Sequence, residues 1–304
     1  VVPVHNEQDN IAELARRVWA VVQPIADYDF RLLFVDDGST DNTVLQITQL
    51  QAQPLPVGLI KLTKNYGHQA ALDAGLMLAN TDLVITMDGD LQHPPEEIPR
   101  MLEAYRLGAD VVQMKRENLS WHPKGLLSLG FYTFFNWVSP VKMVSNAADF
   151  RLLSTVALQK LRTAGERSKM LRVEVPALGL RQIYLGYQQD ERKHGVPSYT
   201  FSSSYQLAVD TVFLYSKFPL HVLLGLAMLS VLFCLLAGVM LVSGLVVFSL
   251  GWQIALGAAV VSAAGLVTGA IIAWYFYYTI AALRQEKSYT VQEIVWPKTR
   301  EAHG

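Results

Sequence analysis

Three features of the sequence predict an α/β domain built on a parallel sheet, followed by a hairpin of two membrane-spanning helices. Short apolar runs alternate with segments of helical periodicity in the N-terminal half of the chain. Acidic and amide residues collect directly after several of those runs. One long region, Phe218 to Leu283, contains no Asp, Glu, Lys or Arg.

In chain order, Val1 to Val4, Leu32 to Val35, Val57 to Leu62, Leu83 to Met87 and Ala109 to Met114 read as strands. Their apolar residues are consecutive rather than alternating, as in parallel strands covered on both faces. Between them, Ile11, Leu14, Ala15, Val18 and Val22 define one apolar helix face, Val44, Ile47 and Leu50 a second, and Ala70, Leu72, Leu76 and Leu78 a third. The chain begins at Val1 inside an apolar run, so we expect the first strand to be truncated at its N-terminus. Trp121 to Val138 reads as a further helix. Leu126, Leu127, Phe131, Phe134, Phe135 and Trp137 give it an apolar, aromatic surface, with Lys124 near its start. That surface suits either the headgroup zone of a bilayer or an ordinary core contact. Tyr205 to Tyr215 suits a second interfacial helix.

Hydrophobic residues make up 51% of the chain and charged residues 17%, against about 25% charged in a soluble protein. The missing charge is concentrated in 218–283, which has room for two spans of about 20 residues and a turn. Ser249, Gly251, Trp252 and Gln253 mark the expected turn. Lys217 before the hairpin and Arg284 and Lys287 after it place both ends in the cytoplasm. The expected layout is an α/β domain over 1–199, an interfacial helix over 200–217, the hairpin over 218–283 and a cytoplasmic tail over 284–304. Lys+Arg 25 against Asp+Glu 26 excludes a disordered chain and argues against a nucleic-acid binder. The single cysteine, Cys234, excludes an internal disulfide and a multi-cysteine metal site. Gly225, Gly238, Gly257 and Gly265 would permit close helix packing and a homo-oligomer.

Ligands of open α/β sheets bind at the carboxyl ends of the strands. There the sequence places His5, Asn6 and Glu7, then Asp36, Asp37, Gly38 and Ser39, then Asp88, Gly89, Asp90 and Gln92. Any one cluster is also ordinary turn or helix-cap chemistry. Three acidic clusters in one crevice repel one another unless a cation lies among them. Asp88 and Asp90, two apart, face the same side if the strand continues, and Gly89 lets the backbone turn. All-oxygen ligands favour Mg²⁺ or Mn²⁺ shared with substrate phosphates, which implies a diphosphate ligand. The chain has no Walker loop and no G-x-G-x-x-G after the first strand, so nucleotide hydrolysis and hydride transfer lose support.

Together, Val2-Pro3-Val4-His5-Asn6-Glu7, Val35-Asp36-Asp37-Gly38-Ser39-Thr40-Asp41, Asn65-Tyr66-Gly67-His68-Gln69-Ala70-Ala71 and Met87-Asp88-Gly89-Asp90-Leu91-Gln92-His93-Pro94-Pro95-Glu96 resemble family 2 glycosyltransferases. Asp149-Phe150-Arg151-Leu152-Leu153, Glu166-Arg167, Glu191-Arg192 with Gly195, and Tyr289 to Val295 are similar to its polyprenyl-phosphate branch. The resemblance implies a Rossmann-like nucleotide-sugar transferase domain of the GT-A type. It implies that Pro3, His5, Glu7, Asp36 and Asp37 bind the nucleotide of a UDP- or GDP-sugar, and that Asp88, Asp90 and Gln92 bind the metal. It implies that Arg116 and Arg192 contact phosphates. The family commonly has a lysine six residues after the Arg192 position; here it is Ser198, leaving Lys193 or His194 to substitute or a weaker grip.

The expected reaction is an inverting transfer of one sugar to a polyprenyl phosphate at the cytoplasmic face of a bacterial inner membrane. A phosphate monoester is mostly dianionic at neutral pH, so the acceptor needs a cationic clamp more than a base. Arg116, Lys124, Arg151 and Arg192 are the clamp candidates. Asp149 either orients acceptor or sugar or pairs with Arg151 on the surface. Two rivals are a membrane polysaccharide synthase, disfavoured by the small number of spans and the missing Gln-x-x-Arg-Trp, and a non-catalytic membrane scaffold.

Overall fold

The computed structural model describes residues 1–53, 56–117, 123–164, 170–190, 208–209, 211–213, 215–242, 250–283 and 289–296. The chain divides into two compact units. The first comprises 1–132, 141–199 and 286–304, and the second comprises 133–140 and 200–285.

The first unit is built in the order β1 (Val2–Val4), α1 (Ile11–Val22), β2 (Leu32–Asp36), α2 (Thr43–Gln51), β3 (Val57–Leu62), α3 (His68–Leu78), β4 (Leu83–Thr86), α4 (Ile98–Arg106) and β5 (Val111–Arg116). Then α5 (Pro123–Val138) runs into the second unit, and β6 (Ala147–Ser154), α6 (Thr155–Ala164), α7 (Leu171–Ala177) and β7 (Gln182–Tyr187) complete the first. All five strands expected from the apolar runs are present. The reason is visible in β2, where Leu32 and Phe34 pack on one face against Ile11, Leu14, Ile47 and Met101. Leu33 and Val35 pack on the other against Leu72, Leu76, Leu158 and Leu171. With both faces buried, Leu32 to Val35 are all apolar, and the first polar residue, Asp36, ends the strand.

The sheet is mixed rather than parallel, which corrects the expectation. Two four-stranded sheets have the orders β1-β2-β3-β8 and β4-β6-β5-β7, where β8 is Val291–Val295. They meet at Val1, whose N-terminal nitrogen donates to the Ile85 carbonyl at 2.8 Å and whose carbonyl accepts from Met87 N–H at 3.2 Å. Strand β6 runs antiparallel to both β4 and β5. Its direction follows from where the chain returns: Arg116 N–H at the end of β5 bonds the Asn146 carbonyl just before β6, so the excursion ends at the edge it left. Within the C-terminal tail, Val291–Val295 forms β8, which pairs antiparallel with β3.

In the second unit, α8 (Phe218–Val242) and α9 (Leu250–Leu283) are 25 and 34 residues long. Taken over the described residues alone, no helix is long and apolar enough to cross a membrane. Both helices include positions whose side chains fall outside that set. Of the residues expected to form the turn, Gly251, Trp252 and Gln253 belong to α9, and Ser249 lies outside the described residues. A Cβ at Gly225, Gly257 or Gly265 would meet nothing within 4 Å, so among the described residues these glycines mark no close helix crossing. The end of α5 is tied to the start of α8. Ser216 Oγ donates to the Val138 carbonyl at 2.7 Å, and the Phe218 ring lies 5.2 Å from Phe134 and 6.3 Å from Trp137. In the expected 200–217 helix, only Ala208, Val209, Thr211 to Phe213, Tyr215, Ser216 and Lys217 are described, and those up to Tyr215 are helical.

Candidate active site

The carboxyl ends of β1, β2 and β4 share one edge of the sheet, and their loops are knotted to one another. Asp37 uses both carboxylate oxygens on the loop before α3: Oδ1 accepts Tyr66 N–H at 2.7 Å and Oδ2 accepts Gly67 N–H at 2.8 Å. His5 ties the same loop. Its Nδ1 faces the Asp37 carbonyl at 2.8 Å and must donate, which leaves Nε2 to accept from Asn65 Nδ2 at 3.0 Å. Asp36 is buried beneath, accepting Ser39 N–H at 3.2 Å, and burial pushes its carboxyl up. Glu7 is joined to the same region through Thr43 Oγ1, which accepts its N–H at 2.9 Å.

Gly38 is required here. Its φ is +66°, and an added Cβ would lie 2.5 Å from the Lys64 carbonyl carbon. Gly38→Ala is expected to lose at least about 1–2 kcal/mol from the left-handed backbone alone. It should also displace the Asn65–Gly67 loop. A urea unfolding midpoint equal to wild type would contradict this.

At the end of β4 the sheet opens. Pro3 is the next β1 residue whose N–H would face β4, and it has none, so the pairing begun at Val1 stops. Gly89 crosses close to β1 at this point, where a Cβ would sit 2.8 Å from Val4 Cγ1. The turn that follows places the non-glycine Leu91 at φ +65°, held by its complete burial. Gln92 N–H closes the turn on Asp90 Oδ1 at 3.1 Å.

Strand β6 brings a second set of charges to this edge. Its register pairs Thr86 with Arg151, and two residues further Asp149 comes level with Asp88. Asp149 is buried and heavily engaged. It accepts from Arg151 Nη2, from Arg172 Nη2 at 3.0 Å and from Gln69 Nε2 at 3.0 Å. His68 Nε2 lies between the two carboxylates, 3.4 Å from Asp88 Oδ1 and 3.6 Å from Asp149 Oδ2. On the far side of Asp88, His93 Nδ1 accepts its backbone N–H at 2.9 Å. Arg116 stands at the end of β5, its Nε 3.4 Å from the Tyr187 hydroxyl.

The family profile described as "Glycosyl transferase family 2" matches residues 1–139. The bactoprenol glucosyl transferase of Shigella phage SfV is 32% identical over 237 residues, covering 77% of each chain. The chain belongs to glycosyl transferase family 2. The putative glycosyltransferase CsbB of Bacillus subtilis is 31% identical over 223 residues, covering 73% of this chain and 67% of its own. Among solved structures, mannosyl-3-phosphoglycerate synthase from Rubrobacter xylanophilus is similar over 68% of each chain, at 15% identity and a TM-score of 0.46.

This glycosyltransferase has a GT-A type mixed α/β sheet, and its electrostatics divide the edge into two parts. Burial alone would raise the Asp149 carboxyl, but Arg172, His68 and Arg151 outweigh it and hold it well below the ordinary carboxylate range. Burial opposes charge on His68 too, yet the facing Asp88 and Asp149 carboxylates raise its pKa. Burial lowers His93, so its ring is neutral. The carboxylates fit a hard cation. Asp88 Oδ1 is buried without a hydrogen bond, and Asp90 lies two residues on. Among the described residues no group of three or more His, Cys, Asp or Glu could hold a metal by itself. A cation at this pair would need further oxygens, which a diphosphate supplies.

Of the residues expected from sequence, Pro3, His5, Glu7, Asp36, Asp37, Asp88, Asp90, Gln92, Arg116 and Asp149 come to this edge. Arg151 does not reach its mouth: it is fully buried under Asp149, so the expected surface pair is an interior one. Arg192, Ser198, Lys193, His194, Glu166 and Arg167 lie outside the described residues, as does the side chain of Lys124. His68, Gln69, His93 and Arg172 also stand at this edge, without a role expected from sequence. The first three lie within the sequence segments that resemble the family, whereas Arg172 on α7 has no local signal.

Proposed function

We propose that this enzyme transfers one sugar from a nucleoside-diphosphate sugar to a polyprenyl phosphate held in a bilayer, with inversion at the anomeric carbon. The observation that carries the reading is the match to a bactoprenol glucosyl transferase over three quarters of both chains. The chain's own long helices support it. At about 1.5 Å per residue, α8 and α9 extend roughly 37 and 50 Å, beyond the roughly 30 Å of a hydrocarbon core. Neither contains Asp, Glu, Lys or Arg. Met228, Leu229, Leu235, Val239 and Phe276 are more than half exposed, which is costly in water and costless in lipid. Two spans flanked by Lys217 before them and by Arg284 and Lys287 after them would put both ends of a membrane hairpin on one side. In a bacterium that side would be the cytoplasmic face of the inner membrane.

In this reading the His5, Glu7, Asp36 and Asp37 loops, with Pro3, hold the nucleotide, and Asp88, Asp90 and Gln92 face the donor diphosphate. A divalent cation such as Mg²⁺ or Mn²⁺ bound there would offset the charge of the departing diphosphate. Arg116, Lys124 and Arg192 bring up the acceptor phosphate, already an anion and so in little need of a base. Asp149, fully ionised and committed to Arg151, Arg172 and Gln69, is a weak proton acceptor. It serves as the fixed negative anchor that orients His68 and Arg172.

The test is to incubate the full chain in detergent with labelled UDP- and GDP-sugars and a short polyprenyl phosphate, with and without EDTA. One sugar per lipid, lost with EDTA, is expected. A polymer indicates a polysaccharide synthase, and no product with any donor indicates a scaffold. Arg192→Ala is expected to lower turnover at saturating donor; a change confined to donor affinity would remove it from the acceptor clamp.

A further inference from the structure

His93 lies five residues after Asp88 and is fully buried. Its ring is fixed by two aromatic contacts: it stacks on Phe150 at 5.1 Å and 12°, and it meets Tyr187 edge-on at 5.9 Å. Phe150 and Tyr187 in turn cross at 5.7 Å and 89°, so the three rings form one wall. A buried aromatic could be there for packing alone. Its nitrogens argue otherwise.

Nδ1 accepts the Asp88 backbone N–H at 2.9 Å. That bond requires an unprotonated Nδ1, so in the neutral ring the proton sits on Nε2. Nε2 points to the same residue, 3.5 Å from Asp88 Oδ2, and makes no hydrogen bond of normal length. One rigid ring thus touches both the main chain and the carboxylate of Asp88. Oδ2 is turned towards His93, and Oδ1 makes no hydrogen bond, its nearest charged neighbour being His68 Nε2 at 3.4 Å.

We propose that His93 is a positioning residue that sets the rotamer of Asp88, turning Oδ2 back into the protein and presenting Oδ1 to a divalent cation. This rests on the reading of Asp88 and Asp90 as cation ligands. Partners behind a metal ligand fix its orientation, and their removal commonly weakens metal binding about 10–100-fold. The unusual element is that the partner is an aromatic wall shared with Arg116, whose Nε contacts the Tyr187 hydroxyl. The orientation of Asp88 and the placement of a phosphate-binding arginine therefore depend on the same three rings.

The experiment measures Mn²⁺ binding to the full chain in detergent by the decrease of the free-ion EPR signal, with UDP present and no turnover. His93→Phe keeps the stack and removes both nitrogen contacts, and should bind Mn²⁺ about 10–100-fold more weakly at an unchanged melting temperature. His93→Gln places an amide near Nε2 and should recover most of the affinity, whereas His93→Asn, which reaches only the Nδ1 position, should not. Wild-type Mn²⁺ affinity in the folded Phe variant overturns the proposal. If the Phe variant fails to fold, equal affinities in the Gln and Asn variants overturn it. Wild-type protein that binds no Mn²⁺ with UDP removes the cation reading itself, a result separable from either of these.

Discussion

The expected result of Asp90→Ala is a fall in sugar transfer of about a thousandfold or more with the fold intact. The carboxylate is buried, yet its replacement opens no large void, and it removes the bond that Oδ1 accepts from Gln92 N–H at 3.1 Å. A hydrogen bond of that kind is worth about 1 kcal/mol, small against the stability of a domain. The effect on the reaction is large because Asp88 and Asp90 are the only neighbouring carboxylates in the turn after β4. With one missing, the proposed cation would lose half of the charge that this turn offers it next to the leaving diphosphate. Initial rates at saturating donor, paired with a thermal unfolding scan, check both halves. Turnover equal to wild type would remove this turn from the chemistry.

Asp149→Ala is expected to act chiefly on stability. Arg151 is fully buried and paired with Asp149, and burial lowers its pKa against the opposing pull of that carboxylate. Removing the carboxylate leaves that guanidinium without its partner, a destabilisation of about 3–5 kcal/mol. That is a large share of the roughly 5–15 kcal/mol by which a domain is stable. The double variant Asp149→Leu with Arg151→Met, which removes both charges, should regain most of it. The same pair predicts an acid dependence. The folded-state pKa of Asp149 lies below its unfolded value of about 3.9, so its contribution is complete above that pH and is lost as the pH falls through the folded value. Wild-type melting temperature should fall below about pH 4, and Asp149→Asn should flatten that fall. Parallel curves for the two proteins would show that the pair is not the source.

Much of the donor edge was legible because β1, β2 and β4 are short, largely buried apolar runs, and the first acidic or amide residues after them mark their ends. Strand β6 was hidden by the same logic. It carries Asp149 and Arg151, and a buried ion pair reads in a sequence as an exposed one. Strand β7 has no continuous apolar run of the kind that marks β1 and β2: Ile183, Leu185 and Tyr187 alternate with Gln182, Tyr184 and Gly186, the pattern of a half-buried strand. Strand β8 lies at the C-terminal end, far in sequence from β3, with which it pairs. In the helical region the absence of charge coincides with two long helices, and Gly251, Trp252 and Gln253, polar or small residues that suited a turn, lie inside α9.

By itself the sequence determined that acidic loops follow buried strands and that two long helices carry no charge, since both are consequences of local composition and length. Only the tertiary structure decided which charges meet. The antiparallel return of β6 brings Asp149 level with Asp88 and turns Arg151 inward, and the turn after Gly89 swings His93 back beneath the residue it supports. Strand direction and side-chain facing depend on where a distant segment re-enters the sheet, and no local pattern of residues encodes that.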